Sequence, residues 1–203
     1  MAKAGTRMTS KESGETFIFI ETQETHGGNR LVIDVICEPG GGAKGAPIHI
    51  HPKQTERFTL QSGVMEYVLN GKMGHAYAGD TVVIPPGTPH TFRNPSHDQT
   101  LAFRFEFEPA GGMEYIFENM TALSQMGKLR PDGKAPLLPS FRVLHAYPDN
   151  LYFAGVSVWM QKLGIALGAF AARLLGYPVY YRYKEGSQVN EFSKPIIMDN
   201  SIT

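Results

Sequence analysis

Two stretches hold the residues on which the fold and the chemistry depend: GAPIHIHPKQTERFTLQSG over residues 45–63 and GDTVVIPPGTPHTFRN over residues 79–94. The first stretch contains His49 and His51, and the second contains His90 behind a proline-rich corner. Side chains two residues apart in a strand point to the same face of the sheet. A strand at this position would therefore present two imidazoles side by side.

The sequence after the histidine pair predicts a carboxylate beside them. The segment 52–55 can turn the chain, so that Glu56 begins the next strand next to the imidazoles. The corner 85–89 can hold His90 opposite them. A His-x-His pair alone is more often structural, so the indication comes from the combination. Three neutral imidazoles and one carboxylate suit a borderline divalent metal, and a six-coordinate ion would keep two positions open for water, oxygen or a bidentate substrate.

These residues resemble the two motifs of the cupin superfamily, G-x5-H-x-H-x3–4-E-x6-G and G-x5-P-x-G-x2-H-x3-N. The matching residues are His49, His51, Glu56 and Gly63 in the first motif, and Gly79, Pro85, Gly87, His90 and Asn94 in the second. The leading glycine is off register, because position 43 is Ala43. The resemblance covers roughly residues 30–108. It implies a small antiparallel barrel that binds a metal through its three motif histidines and Glu56.

The rest of the chain predicts a β-domain followed by helices. Strand-like runs separated by Gly, Pro and Asn cover residues 17–20, 31–37, 57–60, 64–69, 81–84 and 101–107. The predicted fold is all-β, a cupin jelly-roll barrel (double-stranded β-helix) with a C-terminal α-helical extension. The predicted division is a loosely ordered N-terminus over 1–14, a barrel over 15–110, a helical extension over 111–185 and a tail over 186–203.

Helical spacing of apolar residues begins after the barrel. It predicts one helix over 113–127, a loop over 128–140 and a second helix over about 151–175. Asp149 or Asn150 could cap the second helix.

The second predicted helix is unusually apolar, but Lys162 lies near its middle. A central lysine costs about 2.5–3.5 kcal/mol on the insertion scale, which disfavours a membrane-spanning helix. Two interpretations remain open. The helix could pack on the barrel or at a dimer interface. Alternatively, it could lie on a membrane surface, as Trp159, Arg173 and the segment 180–184 would permit.

Composition excludes some classes of function. Lys+Arg and Asp+Glu balance at 19 each, for a net charge of +0, so nucleic acid is not an expected partner. The one cysteine, Cys37, excludes an intrachain disulfide and a cysteine zinc site, and we expect it to be a small buried apolar residue. Residues 1–14 lack the apolar segment of a secretory signal, so a cytoplasmic location is the expectation.

Strand parity nominates the residues that line a ligand pocket around the metal. Parity with Glu56 and His90 gives Phe58, Leu60 and Phe92 as candidate substrate-binding residues. Tyr67 and Phe103 join them if the sheet register turns them inward, and Gln54, beside the ligand turn, could hydrogen-bond a bound water or substrate. Such a pocket favours a partly apolar, aromatic organic molecule. No Lys or Arg has a clear inward parity on the ligand strands, which argues against sugar phosphates and dicarboxylates.

The expected function is that of a metal-dependent enzyme, with one divalent transition metal per chain (Fe, Mn, Ni, Cu, Co or Zn). A dioxygenase is favoured and an isomerase or lyase comes next, with Glu56 as the catalytic base. Because cupins of this size usually pair through their sheets, the resemblance implies a homodimer. The alternative is a non-catalytic binding or sensor module whose C-terminal helices dock on a partner or a membrane surface.

Overall fold

The computed structural model describes residues 1–42 and 47–184. Its elements, in chain order, are β1 Arg7–Ser10, β2 Glu15–Glu21, α1 Gln23–His26, β3 Leu31–Cys37, β4 His49–Ile50, β5 Thr55–Ser62, β6 Val64–Leu69, β7 Lys72–Tyr77, β8 Thr81–Ile84, β9 His90–Arg93, β10 Leu101–Glu108, α2 Met113–Gln125, α3 Leu137–Ala146, β11 Tyr152–Phe153 and α4 Val158–Leu174.

Two antiparallel sheets enclose the core. One has the strand order β1-β2-β3-β10-β5-β8 and the other has the order β11-β4-β9-β6-β7. The order is far from sequential, as in a jelly roll, where strands from distant parts of the chain become neighbours. The hairpin between β6 and β7 turns at Asn70 and Gly71, both with positive φ, which these two residue types adopt most readily. The predicted all-β jelly roll with C-terminal helices is confirmed.

The strand β10 shows how the sequence fills this core. Its Phe103, Phe105 and Phe107 are all buried. On the opposite face, Arg104 donates two hydrogen bonds to the carboxylate of Asp34 on β3. Burying an aromatic side chain of this size stabilises a fold by about 2–3 kcal/mol. The alternation of apolar and charged residues therefore sets which face of β10 points into the barrel.

The N-terminal residues are more ordered than the sequence predicted. The strand β1 pairs with β2 along its whole length, and Met8 and Ser10 are buried. The hydroxyl of Thr121 on α2 lies against the sulfur of Met8, so the first helix of the extension covers this strand. The prediction of a loosely ordered 1–14 was wrong, because a strand of four residues in a polar segment gives too short an alternation to recognise.

The helical extension also differs from the prediction at several boundaries. The predicted loop 128–140 ends earlier, because α3 begins at Leu137. Pro139 lies in the first turn of α3, where a missing N–H disrupts no helical hydrogen bond. The helix predicted for 151–175 begins only at Val158, because Tyr152 and Phe153 form β11. Asp149 and Asn150 are therefore not its caps.

Past α4 the chain returns to the body of the protein. The hydroxyl of Tyr180 donates to Glu118, and the ring of Tyr181 is buried beside Leu123 of α2. The backbone N–H of Thr9 donates to the hydroxyl of Tyr183. The aromatic rings of the segment 180–184 are thus held by α2 and β1. The predicted tail, residues 186–203, lies outside the described residues.

Two smaller predictions can be compared directly with the structure. Cys37 is fully buried, as expected. Within residues 1–42 and 47–184, every helix is too short or too polar to cross a membrane.

Candidate metal centre

The four predicted ligands meet inside the barrel, between the two sheets. His49 in β4 lies directly opposite His90 in β9, and His51 follows β4 by one residue. Glu56 reaches them from β5 in the other sheet. All four side chains are buried, with at most 8% of any residue exposed.

The ligand atoms of this group converge on one point. One nitrogen or oxygen from each residue lies within 4.8 Å of all the others. Oε2 of Glu56 is 2.8 Å from Nε2 of His90 and 3.2 Å from Nε2 of His51. The ring of His49 stands 4.4 Å from that of His90 and 5.0 Å from that of His51, between centroids.

Backbone carbonyls fix which edge of each imidazole faces the centre. Nδ1 of His49 lies 3.1 Å from the carbonyl oxygen of Pro47, and Nδ1 of His90 lies 2.8 Å from that of Thr88. Nδ1 of His51 lies 2.5 Å from the carbonyl oxygen of Asn150. A carbonyl can only accept a hydrogen bond, so each Nδ1 carries a proton and donates it. The Nε2 lone pairs are therefore directed at the convergence point, as in metal-ligating histidines.

The electrostatics of the centre favour neutral imidazoles at two positions. Burial, with His90 nearby, lowers the pKa of His49 to about 4. Burial and the neighbouring His49 lower the pKa of His51 well below its usual value. Burial raises the pKa of Glu56. Burial would lower the pKa of His90, but the adjacent Glu56 carboxylate outweighs it and the net shift is upward.

The residues fit a bound cation. Oε2 of Glu56 and Nε2 of His90 are buried and face each other at 2.8 Å, and with the neutral imidazole's proton on Nδ1 no donor within the described parts of the chain satisfies either atom. Buried polar groups without partners are costly, and two lone pairs that face each other are stabilised by a cation between them. Three imidazole nitrogens and one carboxylate oxygen suit the divalent first-row transition metals. The buried cluster of three histidines and one glutamate thus indicates a metal ion, while the donor set does not select among these metals.

The C-terminal extension forms part of this centre. Oδ1 of Asn150 accepts hydrogen bonds from Nε2 of Gln54 at 2.7 Å and from the backbone N–H of Gly112 at 2.6 Å. Its Nδ2 donates to the carbonyl of Tyr147. These bonds hold the same residue whose carbonyl orients His51. The strand β11 adds to this support, since it pairs with both residues of β4.

The role of Asn150 in the site was not predicted. The sequence indicated this residue only as a possible helix cap. The asparagine side chain is a frequent cap, and its role here arises from a contact across 99 positions of the chain.

The predicted pocket residues fall into two groups. Phe58, Leu60 and Phe103 are buried in the core, where the ring of Phe58 packs 5.5 Å from that of Phe103. Gln54 is buried as well and contacts Asn150. The burial of Phe58, Leu60 and Phe103 agrees with the inward direction considered for them. Their role toward a substrate remains a prediction.

Tyr67 and Phe92 form the second group and line a cavity of about 520 Å³. Among the described residues that line it are Ile48, just before β4, and Thr91 and Arg93 of β9, but none of the four candidate ligands. Phe92 lies two residues from His90 on β9 and packs 5.1 Å from Phe58. Phe92 therefore lies in the cavity wall and also on the strand β9 that carries His90.

Comparison with known proteins agrees with this architecture. The family model for the cupin domain matches residues 35–104, which include all four candidate ligands. The chain is 30% identical over 197 residues to "Probable oxidoreductase virH" of Hypocrea virens, covering 89% of this chain and 87% of that protein. It is 32% identical over 70 residues to quercetin 2,3-dioxygenase of Bacillus subtilis. That match covers 34% of this chain and 21% of the dioxygenase.

Among solved structures, an RmlC-like cupin from Shewanella frigidimarina aligns with a TM-score of 0.44 and 15% identity, over 54% of this chain and 88% of that one. The relative that matches nearly the whole chain, the cupin-domain match and the two-sheet barrel around three histidines and a glutamate lead to one conclusion. The chain belongs to the cupin superfamily.

Proposed function

We propose that this protein is a metal-dependent oxidoreductase of the dioxygenase class, acting on a small, partly apolar and aromatic organic molecule. The observation that carries the proposal is the buried convergence of three Nε2 atoms and the Glu56 carboxylate. The resemblance to a probable oxidoreductase over most of the chain supports the general class. The shorter match to quercetin 2,3-dioxygenase supports the reaction type.

In this proposal the three histidines hold the metal as neutral ligands through Nε2. Their Nδ1 bonds to backbone carbonyls fix the rings before any metal binds, so little ordering is required on binding. The bound metal would supply Lewis-acid and redox chemistry.

Glu56 is proposed to accept a proton from the substrate. Burial raises the pKa of this carboxyl, which makes it a stronger base than an exposed glutamate. Its Oε2 lies at the centre of the histidine group, within reach of a hydroxyl group on a substrate bound there. Deprotonating an enol or phenol makes that substrate easier to oxidise.

The cavity beside β9 is proposed to admit an uncharged aromatic substrate. Tyr67 and Phe92 offer ring surfaces in its wall. Arg93 is the only Lys or Arg among the described residues that line it. The guanidinium of Arg93 donates to both carboxylate oxygens of Glu66, at 2.5 Å and 2.9 Å, so its charge is already paired. The wall therefore offers little to an anionic substrate.

The test is oxygen uptake by protein loaded separately with each candidate metal, using a panel of flavonols, catechols and aliphatic enediols. We expect uptake with aromatic substrates and one redox-active metal. The Glu56→Gln variant should lose most turnover, whereas Glu24→Gln, at an exposed glutamate, should keep it. Metal-loaded protein that binds aromatic molecules but consumes no oxygen would contradict the proposal and favour the binding module.

A further inference from the structure

The helix α4 presents an apolar face that nothing in the described chain covers. Its residues Met160, Leu163, Leu167, Phe170 and Leu174, called here the α4 seam, are each at least 53% exposed. Trp159 and Leu175 flank the seam and are exposed to the same degree.

The opposite face of α4 is already occupied. Ala169 and Ala172 are buried, and Gly168 lies directly against the ring of Phe141 on α3. α4 is therefore apolar on both sides, with α3 covering one side only. A helix that is hydrophobic all round is normally buried on all sides.

The uncovered area is large enough for a stable interface. The seam and its flanking residues expose on the order of 1,000 Å² of apolar surface, against roughly 300–600 Å² for the largest patch of a typical monomer. A standard protein–protein interface buries about 800 Å² on each partner. One α4 face thus matches the requirement for one side of a dimer.

The spacing of the seam indicates that the partner is a helix. The intervals along it are three, four, three and four residues, which is the heptad pattern of paired helices. From Leu167 the seam extends seven residues in each direction, to Met160 and to Leu174. Two identical seams in antiparallel orientation about Leu167 would therefore bring Met160 of each copy opposite Leu174 of the other, as a twofold interface permits. Beside the seam, a Cβ built on Gly164 would meet nothing within 4 Å, so a second helix could approach closely.

The charges of α4 argue against a lipid surface as the occupant. A helix that lies on a membrane carries a basic polar face. α4 contains two cationic residues, Lys162 and Arg173. Nζ of Lys162 lies 2.8 Å from Oδ1 of Asp149, so this charge is paired within the chain.

We propose that two copies of this chain pair through their α4 seams, antiparallel, with Leu167 next to the twofold axis. The pairing is independent of the metal centre and of the proposed reaction. It places the dimer contact in the helical extension and not in the β-sheets.

The oligomeric state of the full chain tests the proposal, measured by sedimentation velocity at micromolar concentration. We expect a dimer for the unaltered protein and a monomer for Leu167→Glu. The matched control is Met73→Glu on β7, because Met73 is 66% exposed and Leu167 is 63% exposed. This control should remain a dimer. A monomeric unaltered protein, or a dimer that survives Leu167→Glu, would overturn the proposal.

Cross-linking tests the geometry separately. Under mild oxidation, Leu167→Cys should form a covalent dimer in high yield, whereas Met73→Cys should not. The native Cys37 is fully buried and serves as an internal control. A folded Leu167→Cys protein that gives no more cross-linked dimer than Met73→Cys would contradict the position of Leu167 next to the twofold axis. Monomeric protein that sediments with anionic phospholipid vesicles would assign the seam to a membrane and overturn the pairing.

Discussion

The backbone carbonyl of Asn150 accepts a hydrogen bond from Nδ1 of His51 at 2.5 Å, and so joins the C-terminal extension to the candidate metal centre. The asparagine side chain fixes that carbonyl through its own bonds to Gln54 and Gly112. The extension therefore helps to orient His51, one of the four candidate metal ligands.

Replacing Asn150 with alanine should weaken metal binding although no ligand is changed. The carbonyl would remain, but the side-chain bonds that position it would be lost. Loss of such outer partners typically reduces metal affinity by about 10–100-fold. Competitive titration with a chelating dye measures the affinity. Gln99→Ala, at an exposed amide, is the matched control and should bind metal like the unaltered protein. Equal affinities for the two variants would show that Asn150 does not orient His51.

Glu15 should make stability depend on pH. Burial raises the pKa of its carboxyl to about 7, although a hydrogen bond from Ser13 offsets part of the shift. The folded protein thus keeps this proton to a higher pH than the unfolded chain. The stabilisation is complete below pH 4.5 and is lost as the pH rises through 7.

Glu15→Gln cannot ionise, so we expect it to exceed the unaltered protein in stability by on the order of 2–3 kcal/mol at pH 8. The difference should shrink toward zero near pH 4. Urea unfolding of both proteins at each pH measures it. A difference that stays constant between the two pH values would contradict the account of Glu15.

Two glycines of α4 should respond oppositely to alanine. A Cβ at Gly168 would overlap the ring of Phe141, so Gly168→Ala should destabilise the α3–α4 contact by about 1–3 kcal/mol. A Cβ at Gly164 meets open space, so Gly164→Ala should stabilise the helix by about 0.5–1 kcal/mol. Thermal unfolding of the two variants, both in the Leu167→Glu background, separates this effect from association. Equal shifts would mean that α3 and α4 do not pack as described.

The ligand group could be predicted because its information is local. His49, His51 and Glu56 lie within eight residues, and strand parity places the two histidines on one face. The prediction of His90 as a ligand depended on the second motif, because only the pairing of the strands brings this residue close to the other three. The β10 strand was equally clear, because its alternation of aromatic and charged residues runs over the whole element.

The remaining features depend on contacts between distant residues. The carbonyl of Asn150 carries no side-chain signature, so nothing in the sequence marks it as a partner of His51. β11 is only two residues long and forms because β4 offers it an edge. The apolar run from Leu151 therefore predicted one continuous helix, whereas α4 begins at Val158.

The most direct test of the central claim is the metal content per chain of untagged protein purified without chelators, measured by elemental mass spectrometry. It is compared with the double variant His49→Ala, His51→Ala and with His145→Gln, at an exposed histidine. We expect close to one transition metal per chain in the unaltered protein and in His145→Gln, and almost none in a folded double variant. Equal metal in all three proteins, or none in the unaltered protein after reconstitution, would contradict the assignment of the centre.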